Sequence, residues 1–251
     1  MPGERWGPPP YVLLFAEGPR AFFESLTLPP CAPLLRRAPR GDGHPVLVLP
    51  GFAAGDPSTR VLRRYLGTLG YGAHPWLLGL NLGVRGKLRE QLATRVDELY
   101  RRYDRKISLV GWSLGGIYAR EIAKHMPGHV RQVVTLGSPF ADAGRATSAS
   151  NLFAWFSERG LSEDRAAMAD RLRVPPEMPS SSIFSKSDGI VHWRSCLEPE
   201  EDHTENIEVP GSHCGLGFNP LVLYAVADRL GQPEGGWQRF DRSGWRRYLY
   251  G

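Results

Sequence analysis

Ile107-Ser108-Leu109-Val110-Gly111-Trp112-Ser113-Leu114-Gly115-Gly116 decides how this chain is read. The apolar run Ile107, Leu109, Val110 has the pattern of a buried strand, and it stops at Gly111-Trp112-Ser113-Leu114-Gly115. Leu114, Ile117, Tyr118 and Ile122 then recur at helical spacing. Strand, Gly-x-Ser-x-Gly and helix in that order permit a sharp turn that lifts a serine hydroxyl clear of a sheet. Ser113 is the candidate nucleophile. The competing reading is a serine that caps the helix after a glycine turn. A serine hydroxyl is a poor nucleophile until a base takes its proton. The rest of the chain must therefore supply a base, an acid to orient it, and donors for an oxyanion.

Outward from this stretch, strands alternate with helices. Val46 to Leu49 is a continuous apolar run, as in a parallel strand buried on both faces, and it ends in Pro50-Gly51-Phe52. Asp56 is placed to cap a helix with Pro57 at its first position. Leu62, Tyr65, Leu66 and Leu69 give that helix an apolar face, and Gly70 suits its end. A weaker strand is predicted over 71–78, and Leu88 to Tyr103 marks a long amphipathic helix. Further strands are predicted at 130–136, 182–185 and 206–209, and a last helix from Asn219-Pro220 to Gly231. This alternation predicts an α/β fold: a mostly parallel sheet of about six strands with helices on both faces. Active groups in such sheets lie beyond the carboxyl ends of the strands.

That rule selects the partners of Ser113. His213 lies in the Gly-rich loop after the last strand, where an imidazole can reach back to the turn. His192 is the second choice, because the last strand has still to follow it. Asp188 follows the strand before the histidine strand and is the candidate orienting acid, although Ser-Asp-Gly is also an ordinary turn sequence. Glu205 and Glu208 are rivals, and the acidic run Glu198, Glu200, Glu201, Asp202 is expected to be solvated. The oxyanion donors expected by position are the main-chain N–H groups of Leu114 and Phe52.

Two regions fall outside the alternation. Residues 1–45 form an N-terminal extension, with a short helix predicted over 17–28 (Phe22, Phe23, Leu26) and Pro29-Pro30 to stop it. Residues 141–178 are expected to be a helical cap or lid inserted in a single domain of 1–251. There Phe153, Trp155 and Phe156 either line an acyl pocket or pack on the core. Trp112, beside the nucleophile, is a further candidate for substrate contact.

Composition bounds the function. The net charge of +5 comes from dispersed doublets such as Arg36-Arg37 and Arg101-Arg102, not from one aromatic-interleaved face, so nucleic acid is not an expected partner. Three cysteines, Cys31, Cys196 and Cys214, show no metal spacing, and a Cys196–Cys214 disulfide stays open. No phosphate-loop or His-Glu-x-x-His motif occurs, so no cofactor or metal is expected. The apolar run Tyr11–Ala16 is too short for a signal-peptide core, and nothing approaches a membrane span. The expected location is the cytoplasm.

The order Ser113, Asp188, His213 and the segments Leu49-Pro-Gly-Phe52, Gly111-Trp-Ser-Leu-Gly115, Ser187-Asp-Gly189 and Gly211-Ser-His213 resemble the α/β-hydrolases. The chain is similar to their compact bacterial lipase/esterase branch. The resemblance spans 46–230 and implies a carboxylic-ester substrate, from small soluble esters to lipids or polyesters, cleaved through an acyl-enzyme without cofactor. The antiparallel strands usual before the first parallel strand are not evident, which implies a reduced sheet. An acyltransferase with the same triad and a non-catalytic binding protein on this fold remain alternatives. A haloalkane dehalogenase would carry Asp at position 113.

Overall fold

The computed structural model describes residues 7–83, 87–141, 147 and 170–251. Two helices come first, α1 (Tyr11–Leu26) and α2 (Leu28–Leu35). There follow β1 (Pro45–Leu49), a 3-10 turn at Asp56–Thr59, α3 (Arg60–Thr68), β2 (Gly72–Pro75) and α4 (Leu88–Tyr103). Next are β3 (Ile107–Trp112), α5 (Leu114–His125), β4 (Val130–Leu136), β5 (Ser180–Phe184), β6 (Thr204–Glu208) and α6 (Pro220–Leu230). The strands form one six-stranded sheet in the order β2-β1-β3-β4-β5-β6, with every pairing parallel.

The side-chain period of a strand divides this sheet between two cores. Val46 and Val48 of β1 join Leu62 and Leu66 of α3 and Val222, Leu223 and Val226 of α6. Leu47 and Leu49 join Leu92, Val96 and Leu99 of α4 and Ile117 and Ile122 of α5 on the other face. Burying both faces is what makes β1 read as an unbroken apolar run. Each fully buried Val or Leu contributes about 1.5–3 kcal/mol of transfer free energy. Cores of this size hold without cross-links, and no disulfide joins Cys31, Cys196 and Cys214.

The strand order also positions the site. The chain steps from β1 out to β2 at the edge, then returns to the other side of β1 to form β3. That reversal falls between β1 and β3, and ligands of open parallel sheets bind beyond the carboxyl ends of the strands at such a point. The loops leaving these two strands are Pro50–Ala53 and the turn at Ser113.

Some expectations are corrected. β2 is four residues long, not eight. Asp56 caps nothing. It sits inside its 3-10 turn and accepts from the main-chain N–H groups of Trp76 (3.1 Å) and Leu77 (3.3 Å), tying the turn to the end of β2. Pro29-Pro30 open α2 instead of ending a helix, because a proline lacks only an N–H that the first turn cannot use. α1 begins at Tyr11, and its aromatic face points to solvent: Phe15, Phe22, Phe23 and Leu26 are 55–80% exposed, while Glu17 is buried. Glu198 is not solvated. It is buried in an ion pair with Arg120 of α5, whose guanidinium also lies on the Phe140 ring. Burial pushes the Glu198 carboxyl above its ordinary range, and the Arg120 charge opposes that.

Candidate active site

The turn at Ser113 is built by glycines that leave no room for side chains. A Cβ on Gly111 would lie 2.3 Å from Gly116 Cα, and one on Gly115 would lie 2.5 Å from the Leu49 carbonyl oxygen. The first turn of α5 therefore runs against the backbones of β1 and β3. Ser113 itself has φ 53° and ψ −121°, a conformation that costs a non-glycine residue about 1–3 kcal/mol. Its N–H donates to the Leu136 carbonyl at 2.7 Å, which ties the turn to β4. Ser113 stands at the head of α5, yet its side chain makes no capping hydrogen bond. The helix-cap reading of this serine is therefore not what the structure shows.

Asp188, in the loop after β5, is fixed on both oxygens. Its Oδ1 accepts from the N–H groups of Ile190 (2.8 Å) and Val191 (2.7 Å), and its Oδ2 accepts from His213 Nδ1 at 2.6 Å. A carboxylate can only accept, so Nδ1 carries the proton and Nε2 is the basic nitrogen of the neutral ring. Both side chains are buried. Burial works against the imidazolium, but the charge and hydrogen bond of Asp188, with the charge of Glu17, outweigh it and hold His213 above the ordinary 6.5. The rivals are engaged elsewhere: Glu205 with Arg229, Glu208 with Lys186, and His192 as the cap of a 3-10 turn at Trp193–Cys196.

Leu136-Gly137, at the end of β4, is the common neighbour of the three predicted residues. Leu136 takes the Ser113 N–H. A Cβ on Gly137 would lie 3.1 Å from His213 Nδ1 and 3.2 Å from Asp188 Oδ2. Asp188 and His213 are in direct contact; no hydrogen bond joins the Ser113 hydroxyl to His213. Such contacts are often long without substrate.

The predicted oxyanion donors sit on two elements that touch. Leu114 is the first residue of α5, so its N–H is one that the helix leaves unused. Phe52 lies in the loop after β1, and a Cβ on Gly51 would lie 3.3 Å from Ser113 Cβ. That loop is held by Asn81, which sequence reading missed. Asn81 Nδ2 donates to the Pro50 carbonyl (2.8 Å), its main-chain oxygen accepts from Ala53 N–H (2.7 Å), and its N–H donates to Ala54 O (2.8 Å). The sequence signal was one buried-type polar residue in Gly79-Leu-Asn-Leu-Gly83, which reads as plain loop. The same segment lines an apolar cavity of about 160 Å³ with Trp76, Leu78, Leu80, Leu82 and Leu88. A larger cavity, about 540 Å³, opens beside Val130, Pro179 and His203 at the amino ends of the strands, the end opposite Ser113.

Trp112 braces the loop that carries His213. Its Nε1 donates to the His213 carbonyl at 3.2 Å, its ring covers Gly217, and it packs against the core of α3 and α6. Phe153, Trp155 and Phe156, with most of the expected cap at 141–178, lie outside the described residues. Glu17 was also missed: from α1 it reaches the main chain of both the Asp188 loop and the His213 loop. Among the described residues, no cluster of His, Cys, Asp and Glu could hold a metal ion, and no helix is long and apolar enough to cross a membrane.

A doubly covered parallel sheet with a serine on a strained strand–helix turn is the α/β-hydrolase fold, and solved structures of that fold superpose on this chain. Lipase B of Aspergillus fumigatus does so with a TM-score of 0.59 at 19% identity, covering 80% of this chain and 58% of its own. The chain thus spans little more than half of that enzyme. A structure from the metagenome-derived lipolytic enzymes LipS and LipT gives 0.55 at 15% identity, covering 75% and 94%. A pyrethroid hydrolase from Sphingobium faniae JZ-2 gives 0.54 at 15%, covering 76% and 98%. A family model described as the PGAP1-like alpha/beta domain matches residues 84–159, the stretch that carries α4, β3, Ser113, α5 and β4. No curated protein matches the sequence.

Proposed function

We propose that this protein is a serine hydrolase of carboxylic esters. In this reading Ser113, His213 and Asp188 act together. His213 Nε2 takes the proton of the Ser113 hydroxyl as Oγ attacks the acyl carbon. The N–H groups of Leu114 and Phe52 receive the oxyanion, each such donor contributing roughly 3 kcal/mol to the transition state. His213 then gives its proton to the leaving alkoxide, and the alcohol departs. Water enters, His213 takes its proton, the hydroxide attacks the acyl-enzyme, and the acid leaves as Ser113 regains its hydrogen.

The observation that carries this reading is the buried 2.6 Å bond from His213 Nδ1 to Asp188 Oδ2. It presents the basic nitrogen at the end of the sheet where Ser113 stands on its strained turn with its hydroxyl not committed to a helix cap. The named neighbours of the same fold, lipases and a pyrethroid hydrolase, agree with an ester substrate. The test is hydrolysis of p-nitrophenyl esters across acyl lengths, with Ser113→Ala as control and a fluorophosphonate as a label for Ser113. Serine-dependent turnover is expected. A chain that neither turns over nor takes the label would sink the proposal.

A further inference from the structure

We propose that Glu17 is a positioning residue for His213: its carboxylate, brought in on α1, clamps the acid loop and the base loop together. This rests on the esterase reading and adds to it a residue outside the triad.

The geometry is specific. Glu17 Oε1 accepts from the N–H of Gly189 (2.7 Å), next to Asp188, and from the N–H of His213 itself (3.0 Å). Oε2 accepts from Cys214 N–H (2.8 Å). These loops leave β5 and β6 at their carboxyl ends, where the ladder stops and main-chain donors need new acceptors. One carboxylate supplies three of them, across separations of 172 to 197 residues.

The rest of the helix repeats the pattern. Arg20 and Glu24 stand three and seven residues on, which puts all three side chains on one face. Arg20 donates to Ser187 O (2.7 Å) and Ser187 Oγ (2.8 Å) in one loop and to Gly211 O (2.7 Å) in the other, so it too joins the two loops. Glu24 accepts from Ser212 N–H (2.7 Å) and Asn219 Nδ2 (3.2 Å). Burial of apolar surface is not what seats α1, because Phe15, Phe22, Phe23 and Leu26 are on its outer side. The seat is polar and aimed at the two loops. It is also close: a Cβ on Gly189 would lie 2.4 Å from the Leu13 carbonyl oxygen.

The charges around His213 can be named. Asp188 faces it from the loop after β5 and Glu17 from α1, with Arg20 3.9 Å beyond Glu17. Cys214 is its chain neighbour, and Glu24 holds Ser212 on its other side. From β4 it meets Gly137, and from β3 Trp112 donates to its carbonyl; neither carries a charge. Removing the Glu17 charge therefore favours the neutral imidazole.

The test is Glu17→Gln beside Glu24→Gln in the 251-residue chain. The amide keeps its size but must turn an NH2 toward one of the three donors. Expected for Glu17→Gln is a fall in kcat of roughly 10- to 100-fold with KM nearly unchanged. The His213 ring titration, read by NMR without substrate, should move to lower pH, and the acid limb of kcat/KM should move with it. Glu24→Gln loosens the same base loop and should leave that titration in place. An unmoved titration in Glu17→Gln, or equal shifts in both variants, would overturn the proposal. If Glu17→Gln does not fold, Glu17→Asp keeps the charge and shortens the reach: lowered kcat is expected, and wild-type kcat would overturn the claim. Absence of serine-dependent turnover in the wild-type chain would remove the esterase reading alone, since the titration still decides whether Glu17 governs His213.

Discussion

Gly115→Ala tests the construction of the site with a single methyl group. The added Cβ would lie 2.5 Å from the Leu49 carbonyl oxygen and 2.6 Å from that of Pro50. Close C···O contacts run near about 3.3 Å, so α5 and the loop after β1 must separate by about 0.8 Å. Both neighbours are backbone, so neither can escape by changing rotamer. Overpacking of this kind costs about 1–3 kcal/mol, against about 1 kcal/mol gained from replacing a helical glycine. A net loss of about 1 kcal/mol, and at most about 2, lowers Tm by roughly 2–8 °C in a domain of this size. The catalytic effect should be larger, because the wedge separates the Leu114 N–H from the Phe52 N–H. Displacement near 1 Å costs about 100-fold in rate, and it should appear in kcat with little change in KM. Gly67→Ala in α3 is the control: a Cβ there meets nothing within 4 Å, so Tm should rise slightly. Thermal melts and ester kinetics on both variants decide it. Wild-type melting and turnover in Gly115→Ala would refute the close approach on which the oxyanion reading depends.

Asp188→Asn should leave the fold in place and lower kcat by on the order of 10⁴, since an amide no longer fixes the proton on Nδ1; steady-state kinetics would show it. With His213 held above 6.5 by Asp188 and Glu17 against its burial, kcat/KM should fall as pH drops through that raised value, because only the neutral ring is a base. By linkage the charged pair stabilises the fold below the unfolded value near 6.5 and loses that contribution as pH rises through the folded one, which pH-dependent urea melts would reveal. Asn81→Ala leaves the Pro50 carbonyl without its donor, which should cost about 1–3 kcal/mol of stability and lower kcat more than it raises KM. Glu198→Ala strands the buried Arg120 charge and should cost about 3–5 kcal/mol, read in urea melts, whereas replacing both residues with apolar ones should recover most of it.

The sheet and the Ser113 turn were legible because their causes are local. The unbroken apolar run of β1 is what a strand buried on both faces favours, and Gly-x-Ser-x-Gly is what a turn packed against two strands permits. Asp188 and His213 were legible from chain order, which strand topology turns into spatial order. The devices that hold these residues in place were not, because each depends on a distant partner. Glu198 sits among Glu200, Glu201 and Asp202 and reads as one more solvated acid, since Arg120 is 78 residues away. Asn81 reads as loop, because the carbonyl it holds belongs to another loop. α1 misleads most: its Phe and Leu residues look like the buried face and its Glu17, Arg20, Glu24 stripe like the wet one, and the structure reverses the two. The inversion has a physical source. Two loops at the end of a sheet carry main-chain N–H and C=O groups with no ladder left to join. A helix covering them has to present acceptors and a donor, so its charges turn inward and its apolar residues are left outside. A polar stripe of alternating sign on a helix next to a candidate site is thus as much a signal of loop capture as of solvent, and Glu17→Gln beside Glu24→Gln separates the two.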